Sequence, residues 1–155
     1  MAYNNNGDKM IDKIRRYFVI FVPIILGSIV GLIVDTTSYS VVNKPSVSPP
    51  GVVFPIVWSI LYLIMGYSYY KSNRDCGTKK VYYAQLIVNL LWSFLFFSFR
   101  LYLFSSLWIL LLIVLVIDMI VRFYQDKKVL GYINLPYLVW LIFAFYLSIS
   151  VYLLN

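Results

Sequence analysis

Asn89 lies near the middle of an uncharged run from Val81 to Phe99. An amide at that depth costs free energy unless it meets a partner or a cavity. Helical spacing puts Gln85, Asn89, Trp92 and Phe96 on one face. The same spacing aligns Trp58, Tyr62, Met65 and Tyr69 in an earlier run, and Tyr137, Trp140, Ala144 and Leu147 in a later one. Three such stripes bring aromatic faces together with the Gln85 and Asn89 amides, which turn inward to a partner or a cavity. They also read as plain packing, with Gln85 and Asn89 tying helices together and the aromatics filling a core. Trp108, near the start of another run, reads as an interfacial anchor.

Other chemistry is narrowed by what the chain lacks. It has no histidine, which removes Ser-His and Cys-His nucleophiles, His-ligated metals and axial His ligation of haem. The lone Cys76 excludes an internal disulfide and multi-cysteine zinc sites, and no base or resolving thiol stands beside it. Asp118 is the one acid well inside an apolar run. Such a residue is a functional candidate, yet Arg122 one helical turn on can pair with it. A single intramembrane acid speaks against a proton-driven pump.

The elements that must carry these residues are spans. The 155 residues are 62% hydrophobic, 19% aromatic and only 12% charged, about half the charge of a soluble domain. Five apolar runs, about 17–34, 51–70, 81–99, 101–121 and 129–154, each approach the length a bilayer requires. The fold class is therefore an all-α integral membrane bundle of five transmembrane helices, forming a single domain over 1–155. The first run follows a basic stretch but is long for a signal peptide and no A-x-A-like site follows it, so it is read as retained. Its Gly27 and Gly31 permit close helix approach, within the chain or across a dimer. Pro136 should tighten or kink the first turns of the last run. Between the first two runs Pro45, Pro49 and Pro50 stiffen a loop that reads as a lid.

Charge sets the orientation. Lys9, Lys13, Arg15, Arg16, Lys71, Arg74, Lys79, Lys80, Arg122, Lys127 and Lys128 fall on the side of the N-terminus, and only Lys44 and Arg100 on the other. This asymmetry places the N-terminus in the cytoplasm, and the C-terminus and the proline loop outside. The net charge of +7 sits at span ends and not in a stripe, which argues against nucleic acid.

Several ordered motifs carry a resemblance. Tyr39, Lys44-Pro45-Ser46, Pro49-Pro50, Phe54-Pro55, Val57-Trp58-Ser59-Ile60-Leu61-Tyr62 and Met65-Gly66-Tyr67 are followed by Gln85-Leu86, Asn89, Trp92-Ser93 and Phe96-Phe97. Leu135-Pro136-Tyr137-Leu138, Trp140 and Phe143-Ala144 complete the set. Over about residues 20–152 the chain resembles the TspO/MBR family, the tryptophan-rich sensory proteins and translocator-protein (peripheral benzodiazepine receptor) relatives. The resemblance implies a five-helix bundle, commonly a homodimer, with a ligand pocket under the first loop. It implies binding of protoporphyrin IX-type tetrapyrroles and of benzodiazepine and isoquinoline-carboxamide compounds, with no cofactor required. The positions it implicates are Tyr39, Trp58, Tyr62, Asn89, Trp92, Tyr137, Trp140 and Ala144. Trp58 and Trp140 match the pair implicated where family members degrade porphyrin under light. Departures are Ser38 and Val47, where family members often carry tryptophan, Leu147-Ser148 in place of Leu-Asn, and no basic sterol motif near Tyr152.

Three functions follow as expectations: a membrane receptor for porphyrin and benzodiazepine-type ligands, a light-dependent porphyrin-degrading oxidase, or a tetrapyrrole or lipid transporter. The absence of an inverted repeat and of broken-helix pairs disfavours the last. Membrane lipid is the expected surrounding partner, and a bacterial plasma membrane the expected location.

Overall fold

The structure is a computed structural model that describes residues 5–36 and 38–155; the side chains of 5–13, 15, 16 and 38 lie outside the description. Lys9, Lys13, Arg15, Arg16 and the Ser38 departure fall among those side chains. The chain runs through α1 (Asn5–Ile33), the short α2 (Ser38–Val41), α3 (Val53–Lys71), α4 (Cys76–Ser93) with a π-helical turn Phe94–Ser98, α5 (Tyr102–Asp126), the single turn α6 (Lys128–Tyr132) and α7 (Leu135–Leu154). Among the described residues there is no strand. Among the described residues, four segments are long and apolar enough to cross a bilayer: Val53–Lys71, Cys76–Ser98, Tyr102–Asp126 and Lys128–Leu154. Where the first span is expected, α1 carries a shorter apolar stretch, Tyr17–Ile33.

Several helices outrun their apolar segments, and for α4 a side-chain cap explains it. α4 begins at Cys76, five residues before the apolar run, because the Asp75 carboxylate accepts from the Gly77 amide (2.8 Å), the Thr78 amide (3.2 Å) and the Thr78 hydroxyl. That satisfies the open N–H groups of a first turn. The expected polar connection of 71–80 thus shrinks to Ser72–Asp75. α5 continues past Asp118 through the polar turns to Asp126, so the 122–128 loop reduces to Lys127. Pro136 stands in the first turn of α7, where its missing N–H costs nothing.

Neighbouring helices alternate in direction. At one end Lys127 Nζ donates to the Lys71 carbonyl (2.9 Å) and the Asn73 amide to Asp126 (2.8 Å). At the other the Asn43 amide donates to Asn155 Oδ1 (2.9 Å), while Asn155 Nδ2 donates to the Asn43 carbonyl (3.0 Å). α1 lies closely along α3. Gly66 lets the Ile20 carbonyl approach so far that a Cβ there would collide with it, and a Cβ on Gly27 would strike the Tyr62 ring. The Gly27 half of the GxxxG therefore serves packing inside the chain, whereas Gly31 opens onto empty space.

The main core sits between α3, α4, α5 and α7, with Met65, Tyr82, Val116, Met119, Phe123, Tyr137 and Leu141 all buried. Tyr69 and Tyr82 stack at 3.9 Å, with Arg74 over the Tyr69 ring. α5 is tied to α7 by serines: Ser105 and Ser106 lie 3.0 and 2.9 Å from Ser148, and both donate to the Tyr102 carbonyl. Trp108 is not the interfacial anchor its position suggested. Its indole donates to the Val88 carbonyl of α4 (2.8 Å), one residue from Asn89, so it joins two helices at depth. Asp118 pairs with Arg122 at 2.9 Å, and the acid is satisfied by its own helix.

Candidate functional site

α1 meets α3 closely only along part of its length. Beyond Gly27 the two diverge, and the loop from Val34 to Val52 closes the gap. A cavity of about 870 Å³ results, within the range of small-molecule sites. Its walls are Ile24, Gly27 and Gly31 of α1, Phe54, Trp58 and Tyr62 of α3, and Trp92, Ser93 and Phe97 at the end of α4. Lys44, Ser48, Pro49 and Pro50 form the roof. The roof is not extended throughout as the prolines suggested: it turns at 46–47 and 51–52. These turns are closed by the Ser48 amide donating to the Pro45 carbonyl and the Val53 amide to the Pro50 carbonyl, each at 2.9 Å, while the prolines lack backbone donors that would need partners.

Tyr39, on α2, joins roof to wall. Its ring meets Phe54 at 5.6 Å, Phe96 at 6.1 Å and Phe97 at 5.8 Å. Two consecutive phenylalanines reach one ring because the π-helical turn adds a residue and swings both toward α2. Lys44 Nζ donates to the Tyr39 carbonyl (2.8 Å) and lies 4.5 Å from the Tyr39 ring centre. Burial raises the Tyr39 phenol above its usual range. The nearby Ser48 hydroxyl offsets a little of this, although the two oxygens do not reach hydrogen-bond geometry.

Beneath the cavity floor runs a chain of buried polar groups. Tyr62 Oη donates to Asn89 Oδ1 (2.9 Å), and Asn89 Nδ2 donates to Tyr137 Oη (2.6 Å). Tyr137 Oη donates in turn to Gln85 Oε1 (3.0 Å), and Gln85 Nε2 points at the Met65 sulfur (2.6 Å). The Asn89 amide is thereby engaged at both ends, and the residue is 1% exposed. It touches the cavity only through Tyr62.

The residues singled out by sequence divide into two shells. Tyr39, Trp58, Tyr62 and Trp92 line the cavity. Asn89 and Tyr137 lie behind Tyr62 and Trp58, the Trp58 and Tyr137 rings being 6.1 Å apart. Ala144 packs in a satellite core with Trp92, Phe96 and Ile109, partly covered by Tyr39. Trp140 stands on the far side of α3: its ring meets Phe54 at 5.9 Å and Phe143 at 5.5 Å, and it lines an outward-facing groove between α3 and α7. In this conformation Trp58 and Trp140 do not face each other across the cavity. The Trp92 and Trp140 indole N–H groups are buried without a hydrogen-bond partner.

Phe54, Phe97 and Lys44 complete the lining and were not among the candidates. Phe54 stands four residues before Trp58, so extending the Trp58–Tyr62 stripe by one turn finds it. Phe97 required the π-helical turn, which no spacing rule announces. Asn134, wholly buried with its amide donating to Ser68 Oγ (2.6 Å) and the Leu130 carbonyl (2.8 Å), was also missed as a tie between α3 and the α6–α7 junction.

Comparison with known proteins agrees with this architecture. Residues 19–153 match the TspO/MBR family. The chain is 36% identical over 124 residues to the tryptophan-rich protein TspO of Archaeoglobus fulgidus, covering 77% of this chain and 80% of that one. It is 33% identical to the protein of the same name from Chlorobaculum tepidum, covering 76% and 78%. To the human translocator protein it is 32% identical, covering 74% and 72%. Together with the apolar helices, these matches make it an integral membrane protein.

Proposed function

We propose, from the premise that this chain belongs to the TspO/MBR family, that it is a membrane receptor for a large, flat, mostly apolar ligand of the protoporphyrin type. The ligand lies in the cavity between α1, α3 and α4. The observation that carries this reading is the cavity itself: about 870 Å³, walled by Phe54, Trp58, Tyr62, Trp92 and Phe97, with one ammonium, Lys44, in its roof. Aromatic faces take up a planar ring by stacking, and the ammonium favours a ligand with an acidic edge. Benzodiazepine and isoquinoline-carboxamide compounds, smaller and equally aromatic, compete for the same walls. Asn89 and Tyr137 act by fixing the Tyr62 ring from behind.

Titration of the purified protein with protoporphyrin IX tests this. Saturable quenching of tryptophan fluorescence is expected, weakened about tenfold or more by Trp58→Ala, equivalent to about 1.4 kcal/mol. Unsaturable quenching, or none, overturns it. A second reading is oxidation of the light-excited bound porphyrin with dioxygen as the electron acceptor, in which the Trp58 indole at the cavity wall beside Tyr62, their rings 5.5 Å apart, would be the nearest oxidisable side chain. It predicts a discrete photoproduct that Trp58→Phe abolishes while binding persists. Trp140→Phe is the paired test, since Trp140 reaches the cavity only through Phe54.

All five apolar segments span the bilayer in this reading, with the N-terminus cytoplasmic and the cavity end outside, in a bacterial plasma membrane and as a homodimer. What supports this orientation is the grouping of Lys71, Arg74, Lys127 and Lys128 toward one end, against Lys44 and Arg100 in the connections at the other. Cys76, exposed at the basic end, reports on it. A membrane-impermeant maleimide should label Cys76 in inverted vesicles and not in intact cells.

A further inference from the structure

A second concave surface lies on the opposite face of α3. Ile60 and Ile64 of α3 and Val139, Trp140 and Phe143 of α7 line a groove open to the outside, with Tyr132 at one end. α3 and α7 do not approach closely by backbone, because large side chains hold their axes apart. No charged residue lines the groove. On the lipid-facing surface such a groove takes an acyl chain, and what distinguishes it from ordinary boundary surface is how it ends.

The α3 stripe 57–61–64 continues through Ser68 to Lys71, and on the facing side Lys128 stands one helical turn before Tyr132. Lys127 Nζ is held at the α3 terminus by its bond to the Lys71 carbonyl (2.9 Å). Lys71, Lys127 and Lys128 are all exposed at this end. The Lys71 ammonium lies over the Tyr67 and Tyr70 rings, at 5.9 and 5.3 Å, while Lys127 stands at the α3 terminus and Lys128 opens the α6 turn that leads to Tyr132. Of the acids at this end whose side chains are described, Asp75 caps α4, Asp118 pairs with Arg122, and Asp126 accepts from the neutral Asn73 amide, which sets its charge against those of Lys71, Lys127 and Lys128. The mouth keeps an excess of positive charge beside a long apolar slot.

We propose that the α3–α7 groove is a binding site for one anionic phospholipid. An acyl chain lies along Ile60, Ile64, Val139 and Trp140, and the phosphate meets Lys127 and Lys128, with Lys71 adding to the local field. The site is separate from the cavity and does not depend on what the cavity holds.

Trp140 is its reporter. The full chain is reconstituted in phosphatidylcholine vesicles doped with either brominated phosphatidylglycerol or brominated phosphatidylcholine. The Trp140 signal is taken as the difference between wild type and Trp140→Phe. Phosphatidylglycerol should quench that signal at a several-fold lower mole fraction than phosphatidylcholine. Lys127→Gln/Lys128→Gln should erase the preference while leaving cavity-ligand affinity unchanged. Equal quenching by the two lipids overturns the proposal in favour of general boundary lipid. No quenching by either overturns it in favour of a groove covered by a second copy of the chain. Native mass spectrometry of the unmutated tryptophan background gives an independent reading. One retained phosphatidylglycerol per chain is expected for wild type and none for the lysine variant; equal retention also overturns the proposal.

Discussion

The two ends of the bundle are built on different principles. At the basic end helices meet ring on ring and backbone on side chain: Tyr69 stacks on Tyr82, Tyr17 on Tyr70, Asp75 caps α4 and Lys127 holds the α3 terminus. At the cavity end α1 leaves α3, and a proline roof is held by Tyr39, Lys44 and the reciprocal Asn43–Asn155 bonds. Stability gathers where backbone approach is closest, and room for a ligand opens where the helices part. Such a division lets one end adapt while the other holds the helices in register.

Two glycines break the comparison most sharply. Gly66→Leu drives a side chain into the Ile20 backbone. It should cost about 3 kcal/mol or more, since the struck atoms cannot step aside as a side chain would. Loss of the monodisperse folded peak in detergent, or a large drop in the thermal midpoint, is the expected result. Gly31→Leu makes the same exchange at the other end, where a Cβ meets open space. Its melting temperature should hold or rise, because glycine is a poor helix former, while protoporphyrin quenching falls at least about tenfold as the side chain fills the cavity. Equal melting of the two variants would mean that the ends do not differ as described.

Asn89→Leu separates scaffold from lining. It removes two interhelical bonds, which within membranes average about 0.6 kcal/mol each, so a loss of about 1–2 kcal/mol is expected in reversible unfolding. Ligand affinity should change less than for Trp58→Ala. A larger binding defect for Asn89→Leu would put the amide in direct contact with ligand.

The smallest effect is set by pH at the basic end. The Thr78 hydroxyl and the Thr78 and Gly77 amides hold the Asp75 carboxyl below the usual aspartate range, with Arg122 nearby helping. A lowered folded-state value means that the stabilisation is complete above the unfolded value, about pH 3.9, and is lost as pH falls through the lower one. A shallow decline in melting temperature on the acid side is expected, flattened by Asp75→Ala. An unchanged acid limb in that variant would assign the decline to other carboxylates.

Sequence and tertiary structure divided the work along a physical line. The Asp118–Arg122 pairing and the aromatic stripes were legible because they depend on spacing along one helix, which is set by about 3.6 residues per turn. The helix ends were not, since α4 and α5 run on beyond their apolar segments. Tyr62, Asn89 and Gln85 could be recognised as inward groups by the cost of an amide or hydroxyl in lipid. Which partner each one takes could not, since that depends on the azimuth of neighbouring helices. Trp58 and Trp140 read alike in sequence, both on inward-looking stripes, yet α3 stands between Trp140 and the cavity. Trp108 sits near a run's start like an anchor, but the Val88 carbonyl comes within reach only once α4 and α5 are packed. Helix existence and inward polarity belong to the chain alone. The cavity exists because Gly66 and Gly27 let α1 lie close along one stretch of α3, against the Ile20 carbonyl and the Tyr62 ring, while Gly31 beyond them meets open space, a fact of helix packing that no single helix contains.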